Sequence, residues 1–160
     1  MSDGSIAERT RAFRMSQGPF DISLVFNATE DAVRCALGSV RESLRALSIE
    51  ELTIGTVEIV LAEVSNNIVE HAYKNSTKGT VDLKCQRVEG LLFFEIRDNG
   101  TPLPHNEIPH KKQHDLDSDL HLLPEGGFGW GLIRDMTLSL AYQRVDGQNI
   151  LRFSLPAVLD

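Results

Sequence analysis

At 160 residues and a net charge of −7, the chain fits one domain with room for a sizeable core. Its hydrophobic content of 41% and charged content of 24% are ordinary for a soluble globular protein, and the acidic balance argues against bulk nucleic-acid binding, which wants a basic surface. No apolar run approaches the roughly eighteen residues of a membrane span, and the N-terminus carries charges without the apolar core of a signal peptide.

Residues 1–18 are polar, mixed in charge and without period, and are expected to form a flexible arm ahead of a single domain over 19–160. Ile22, Leu24 and Phe26 alternate with polar neighbours and predict a strand. Thr29 is placed to cap a helix over Glu30 to Ala46, where Val33, Ala36, Leu37, Val40 and Leu44 recur at helical spacing. Ser48-Ile49-Glu50-Glu51 has the form of a capping box and is expected to open a second, long helix. On that helix Leu61, Val64, Ile68 and Ala72 share an apolar face, while Glu63, Asn67, His71 and Lys74 share a polar one.

Beyond Lys78-Gly79, two alternating runs joined at Glu89-Gly90 predict a β-hairpin that ends in the turn Asp98-Asn99-Gly100-Thr101-Pro102. A polar, proline-punctuated stretch over about 104–126 is expected to be a mobile lid. It holds His105, His110, His114 and His121. A solvated lid is favoured there over a metal site, because no cysteine joins these histidines. Gly126 to Gly131 closes the lid, a short helix around Leu132, Ile133 and Met136 follows, and two strands meet across Asp146-Gly147. Cys35 and Cys85 have no CxxC spacing and are expected to be buried free thiols in a reducing cytosol. The element order predicts an α/β sandwich: a mixed, mostly antiparallel sheet covered on one face by helices.

Three stretches carry chemistry. A carboxylate one turn before an amide, Glu63 and Asn67, can take a proton and ligate a hard cation such as Mg²⁺. Asp98 at the end of a strand can accept from an exocyclic amine, with Gly100 letting a flat ring approach the backbone. Gly127, Gly129 and Gly131 ahead of an apolar helix can crowd a phosphate against free N–H donors. Taken singly, a solvated helix face, an ordinary turn and a flexible loop are the alternatives. There is no GxxxxGK[ST] sequence and no HRD or DFG set, so a P-loop and a eukaryotic-type kinase are both excluded.

In this order and spacing the three motifs resemble the ATP site of the Bergerat-fold ATPases, the superfamily of gyrase, MutL and histidine kinases. Within it the chain looks most like the small anti-sigma factor serine/threonine kinases of bacterial partner switching, over roughly Phe20 to Pro156. The resemblance implies that Glu63 is the general base and Asn67 the residue that holds Mg²⁺ against ATP. It implies that Asp98 and Gly100 meet the adenine, and that Gly127, Gly129 and Gly131 form the phosphate loop. His71 stands where these kinases often carry histidine, and Leu132 follows the last glycine of the nucleotide-binding set. Pro102 replaces a glycine frequent in the family. Glu125 stands where many relatives have a basic residue, which leaves the γ-phosphate contact to Lys111, Lys112 or Arg134.

The implied activity is phosphorylation of a STAS-type anti-sigma factor antagonist by a cytoplasmic anti-sigma factor. A sigma factor would be the second partner, neither nucleic acid nor membrane is bound directly, and a homodimer is expected from the family alone. The competing readings are a non-catalytic ATP-binding sequestering module and a detached histidine-kinase-like ATPase domain.

Overall fold

The computed structural model describes residues 19–110 and 127–160. The N-terminal arm expected over 1–18 and most of the expected lid, with His114, His121, Lys111, Lys112 and Glu125, lie outside the described residues.

Strand β1 (Ile22–Asn27) leads into α1 (Glu30–Ala46), which opens as expected: the Thr29 side chain accepts from the Ala32 N–H at 3.2 Å. Helix α2 (Glu51–Asn67) departs from expectation at its start. Ser48 is not its cap. Ser48 sits at φ 60, and its N–H closes the end of α1 by donating to the Arg45 carbonyl at 2.9 Å. Glu50 takes the cap position of α2 without a side-chain cap bond, and its carboxylate accepts from the Thr53 hydroxyl at 3.0 Å. The connection between the helices is too short to serve both ends, and the backbone of α1 claims Ser48 first.

Strands β2 (Thr80–Val88) and β3 (Leu91–Asp98) form the expected hairpin, and β4 (Ser139–Val145) and β5 (Gln148–Pro156) form the last one. Both turn on two residues of positive φ, Glu89-Gly90 and Asp146-Gly147, as a tight hairpin of matching twist requires. The five strands run in the order β1-β2-β3-β5-β4. Every pairing among the described residues is antiparallel, so the sheet expected to be mixed shows no parallel pair there. The connection through α1 and α2 joins antiparallel neighbours, whereas β4, which follows α3 (Gly127–Met136), runs in the same sense as β3 with β5 between them.

Helices α1, α2 and α3 cover one face of this sheet. Val40, Leu44, Val57, Val60, Leu61 and Ile133 from the helices are fully buried with Val81, Leu83, Leu92, Phe94 and Phe153 from the strands. Phe94 and Phe153 are register partners on β3 and β5, and their rings stack with centroids 5.1 Å apart. Arg41 of α1 and Glu58 of α2 pair across the helices. The stretch Glu51–Ala72 is the one helix among the described residues long and apolar enough to cross a membrane, and half of its apolar stretch is buried inside the fold. Cys85 is buried on β2, where burial pushes its thiol up, but Cys35 is exposed on α1. The expected burial of both therefore holds for one.

The opposite face of the sheet carries a charged ladder. Glu95 is buried there and accepts from Arg97 Nε at 2.7 Å and Arg152 Nε at 2.9 Å. Burial raises its carboxyl, but the two guanidinium hydrogen bonds and charges outweigh burial and hold it below its ordinary value of 4.5. A carboxylate depressed on folding contributes stability that is fully present above its unfolded value and lost as pH falls through the folded one. Glu95→Ala is therefore expected to cost about 1–3 kcal/mol near neutral pH, with the difference from the parent shrinking as pH falls below that ordinary value. Urea denaturation at a series of pH values checks this, and a pH-independent difference would contradict it.

Candidate functional site

The site begins where α2 stops being regular. Past Asn67 the helix widens into a π-type turn over Ile68–Ala72, and the Tyr73 N–H reaches back to the Ile68 carbonyl at 3.0 Å. This breaks the polar stripe that regular spacing predicts. Glu63, Asn67 and His71 remain at the site, but Lys74 falls beyond the helix at φ 49 and is exposed. Tyr73 fastens the end of the widened turn: its hydroxyl donates to the Thr80 carbonyl at 2.7 Å and accepts the Asn99 N–H at 2.8 Å.

The widened turn brings the Ala72 carbonyl onto the turn after β3, where it accepts the Thr101 N–H at 2.7 Å. A Cβ on Gly100 would lie 2.5 Å from that carbonyl oxygen. The helix backbone by itself therefore requires glycine at this position. A cavity of about 210 Å³ opens beside this contact. Asn67, Ile68 and His71 of the long helix form one side of it, Asp98 and Leu151 the floor, Thr101 to Pro104 a rim, and Trp130 a cover. Pro102, the departure from the family pattern, is part of that rim.

Asp98 is 5% exposed at the floor. Its Oδ1 accepts the Gly100 N–H at 2.9 Å and Asn149 Nδ2 at 2.8 Å. Burial raises its carboxyl above the ordinary value of 3.8, against the opposing pull of these two hydrogen bonds and of the nearby Arg144 charge. Asn149, Tyr142 and Arg144 were not singled out by sequence reasoning. The signal was present in part. The tight turn at Asp146-Gly147 pairs Arg144 with Asn149, and an amide just before the apolar pair Ile150-Leu151 needs a partner if that strand is buried.

Helix α3 crosses the other end. Gly127, Gly129 and Gly131 do not precede the helix as a loop; they lie within its first turns. A Cβ on Gly129 would stand 2.8 Å from Glu63 Oε2 and 3.8 Å from Asn67 Oδ1, so the bare backbone of α3 presses on both side chains. Asn67 is 7% exposed, and its Nδ2 is buried without a hydrogen-bond partner among the described residues. Rotating that amide by half a turn would present its oxygen in the same place. A half-buried carboxylate, a buried amide with an unmet polar atom and the start of a helix thus converge, a donor set suited to a hard cation and a phosphate. His71 is half-exposed at the rim, with Nε2 3.9 Å from Glu70 Oε2. Leu132 is half-buried on α3 and does not line the cavity. Arg134 is engaged elsewhere, donating to the Ile108 and Pro109 carbonyls at 3.2 and 2.9 Å.

Residues 26–155 match the model of the histidine kinase-like ATPase domain. The chain belongs to this family. It is 28% identical over 99 residues to the serine-protein kinase RsbW of Bacillus cereus, spanning 61% of each chain. It therefore covers about three fifths of the length of that relative. In three dimensions it is similar to the RsbU and RsbW domains of a Mycobacterium tuberculosis protein (TM-score 0.53, 16% identity, 86% of this chain and 33% of that one). It is also similar to the blue-light activated histidine kinase of Erythrobacter litoralis (TM-score 0.51, 17% identity, 77% of this chain and 41% of that one). These structures share the α/β sandwich of the Bergerat fold.

The two close approaches predict opposite behaviour on adding a methyl group. Gly100→Ala meets a backbone carbonyl that cannot turn aside, and is expected to lower stability by about 1–3 kcal/mol. Gly129→Ala meets the end of a side chain that can rotate, and gains helix propensity of about 0.5–1 kcal/mol. It should leave stability within about 1 kcal/mol of the parent while displacing the Glu63 carboxylate. Thermal unfolding of both variants checks this; equal stabilities would contradict the geometry.

Proposed function

We propose that this member of the histidine kinase-like ATPase family binds Mg²⁺–ATP in the cavity between α2, α3 and the sheet and transfers the γ-phosphoryl group to a serine or threonine of a protein partner. The single observation that carries the reading is the placement of two unlike polar ends on one apolar cavity. Asp98 stands at one end with a carboxylate oxygen to spare. Asn67 lines the cavity on the helix side, and Glu63 lies against Gly129 of α3 next to Asn67. A flat aromatic base bearing an amine and a chain of phosphates has this same division of chemistry.

In this reading Asp98 accepts a hydrogen bond from the adenine amine, while Ile68, Leu151 and Trp130 cover the apolar faces of the ring. Asn67, with its amide oxygen turned into the site, would hold Mg²⁺, which neutralises phosphate charge when bound. The first turns of α3, kept bare by Gly127, Gly129 and Gly131, offer N–H groups to the phosphates. Glu63 orients the incoming hydroxyl and takes its proton as the hydroxyl oxygen bonds to the γ-phosphorus and the bridging bond to ADP breaks. His71, which lines the cavity past Asn67 on the same helix, belongs to the nucleotide site in this reading. By likeness to RsbW, the acceptor is a STAS-type anti-sigma factor antagonist, and the protein acts in the cytoplasm as an anti-sigma factor in partner switching. A sigma factor is then the second partner, and a homodimer the expected assembly.

Two substitutions separate binding from chemistry. Glu63→Ala removes a base but no phosphate ligand, so transfer should fall by about 10²–10⁴-fold while ATP still binds. Asn67→Ala should lose Mg²⁺-dependent binding along with transfer. Calorimetry with ATP, and mass spectrometry of a STAS-type partner incubated with ATP, check the two arms. A Glu63→Ala protein that phosphorylates the partner at the parental rate would overturn the assignment.

A further inference from the structure

We propose that Asn149 is a positioning residue that sets base selectivity: clamped by Tyr142 and Arg144, it holds Asp98 so that one carboxylate oxygen alone faces the cavity. The inference rests on the reading of the cavity as an adenine site. It assigns to β4 and β5 a role that none of the motifs on the long helix or the glycine turns performs.

A carboxylate offers two oxygens and about four acceptor positions, and by itself does not choose which to present. Here the choice is made by neighbours. The Gly100 N–H and Asn149 Nδ2 both donate to Oδ1, at 2.9 and 2.8 Å. Among the described residues nothing donates to Oδ2, although Asp98 lines the cavity. The carboxylate is thereby turned with its unsatisfied oxygen available to a ligand.

The amide of Asn149 is itself held in one sense. Its Oδ1 accepts from the Tyr142 hydroxyl at 2.5 Å and from Arg144 Nη1 at 2.9 Å. Its Nδ2 also donates to the Thr101 carbonyl at 3.0 Å. Turning the amide over would set an NH₂ group against two donors and an oxygen against a carboxylate and a carbonyl, so the buried network permits a single orientation. Tyr142 completes the chain, because its hydroxyl accepts the Leu103 N–H at 3.1 Å. Arg144 Nη1 donates as well to the Gly100 carbonyl at 2.7 Å. The Leu103 N–H of the cavity rim is thereby linked, through Tyr142 and Asn149, to Oδ1 of Asp98.

The sheet places these groups. Arg144, Asn149 and Asp98 occupy one row of register partners across β4, β5 and β3. Asn149 is 6% exposed, so its hydrogen bonds compete little with water. A purely structural role would satisfy the carbonyls of the turn and support the cavity as a whole. A positioning role goes further and changes which base the cavity prefers.

The test compares ATP with purine riboside triphosphate, which lacks the 6-amino group, by calorimetry on the unmutated protein, Asn149→Ala and Tyr142→Phe. The unmutated protein should prefer ATP by about tenfold or more, the worth of a hydrogen bond to a buried charge. In Asn149→Ala the preference should fall about tenfold with affinity for the 6-unsubstituted analogue unchanged. Tyr142→Phe, which keeps the ring and leaves Arg144 on the amide, should show a smaller loss in the same direction and covers the case of an Asn149→Ala protein that fails to fold. A preference that survives in the variants, or an equal loss of affinity for both nucleotides, overturns the inference and leaves the ATP site standing. No preference in the unmutated protein overturns the adenine reading and this inference with it.

Discussion

The contact between the Ala72 carbonyl and the turn at Gly100-Thr101 sets the shape of the site. A helix carbonyl at the end of α2 accepts the Thr101 N–H at 2.7 Å, and a side chain on Gly100 would leave no room for it. A regular α-helix would aim its last carbonyls along the axis, toward its own next turn. The π-type turn over Ile68–Ala72 frees one of them and lets the helix end lie against the sheet. The cavity opens beside that contact, with Asn67 and His71 on the helix side and Asp98 on the sheet side. Were the helix to stay regular, the two sides would carry the same residues in a different relation.

The other end of the cavity depends on a second absence of side chain. Gly129 lets α3 settle on Glu63 and Asn67, and the buried Asn67 amide is left with a polar atom that the protein does not satisfy. An unmet buried polar group costs about 1–3 kcal/mol, so the fold tolerates a local penalty where a ligand would repay it. Asp98 shows a related pattern, since burial raises its carboxyl even with two donors already in place. Both groups are held by neighbours rather than by freedom of their own: Asp98 by Asn149 and the Gly100 N–H, Asn67 by its place at the junction of two kinds of helical turn.

The architecture was legible in the sequence wherever local period and turn chemistry decided it. Alternation marked the strands, Glu89-Gly90 and Asp146-Gly147 marked the hairpins, and Thr29 marked the start of α1. Reading failed where two local signals competed or where tertiary contact overrode spacing. Ser48 looked like a cap for the second helix but closes the first. Three glycines looked like a loop, but Gly127, Gly129 and Gly131 lie within α3, with Gly129 against Glu63. Lys74 looked aligned with Asn67 until the π-type turn shifted the phase. Asn149 and Tyr142 escaped notice because their meaning lies in which strands lie side by side. The pairing of β3 with β5 spans more than fifty residues of chain and leaves no local trace.

The most direct measurement of the central claim is a crystal structure with Mg²⁺ and a non-hydrolysable ATP analogue. The account predicts the base in the cavity with its amine on Asp98, the metal on the Asn67 side chain, and the phosphates against the first turns of α3 beside Glu63. A nucleotide seated elsewhere on the fold, or in the cavity with its base pointing away from Asp98, would contradict it.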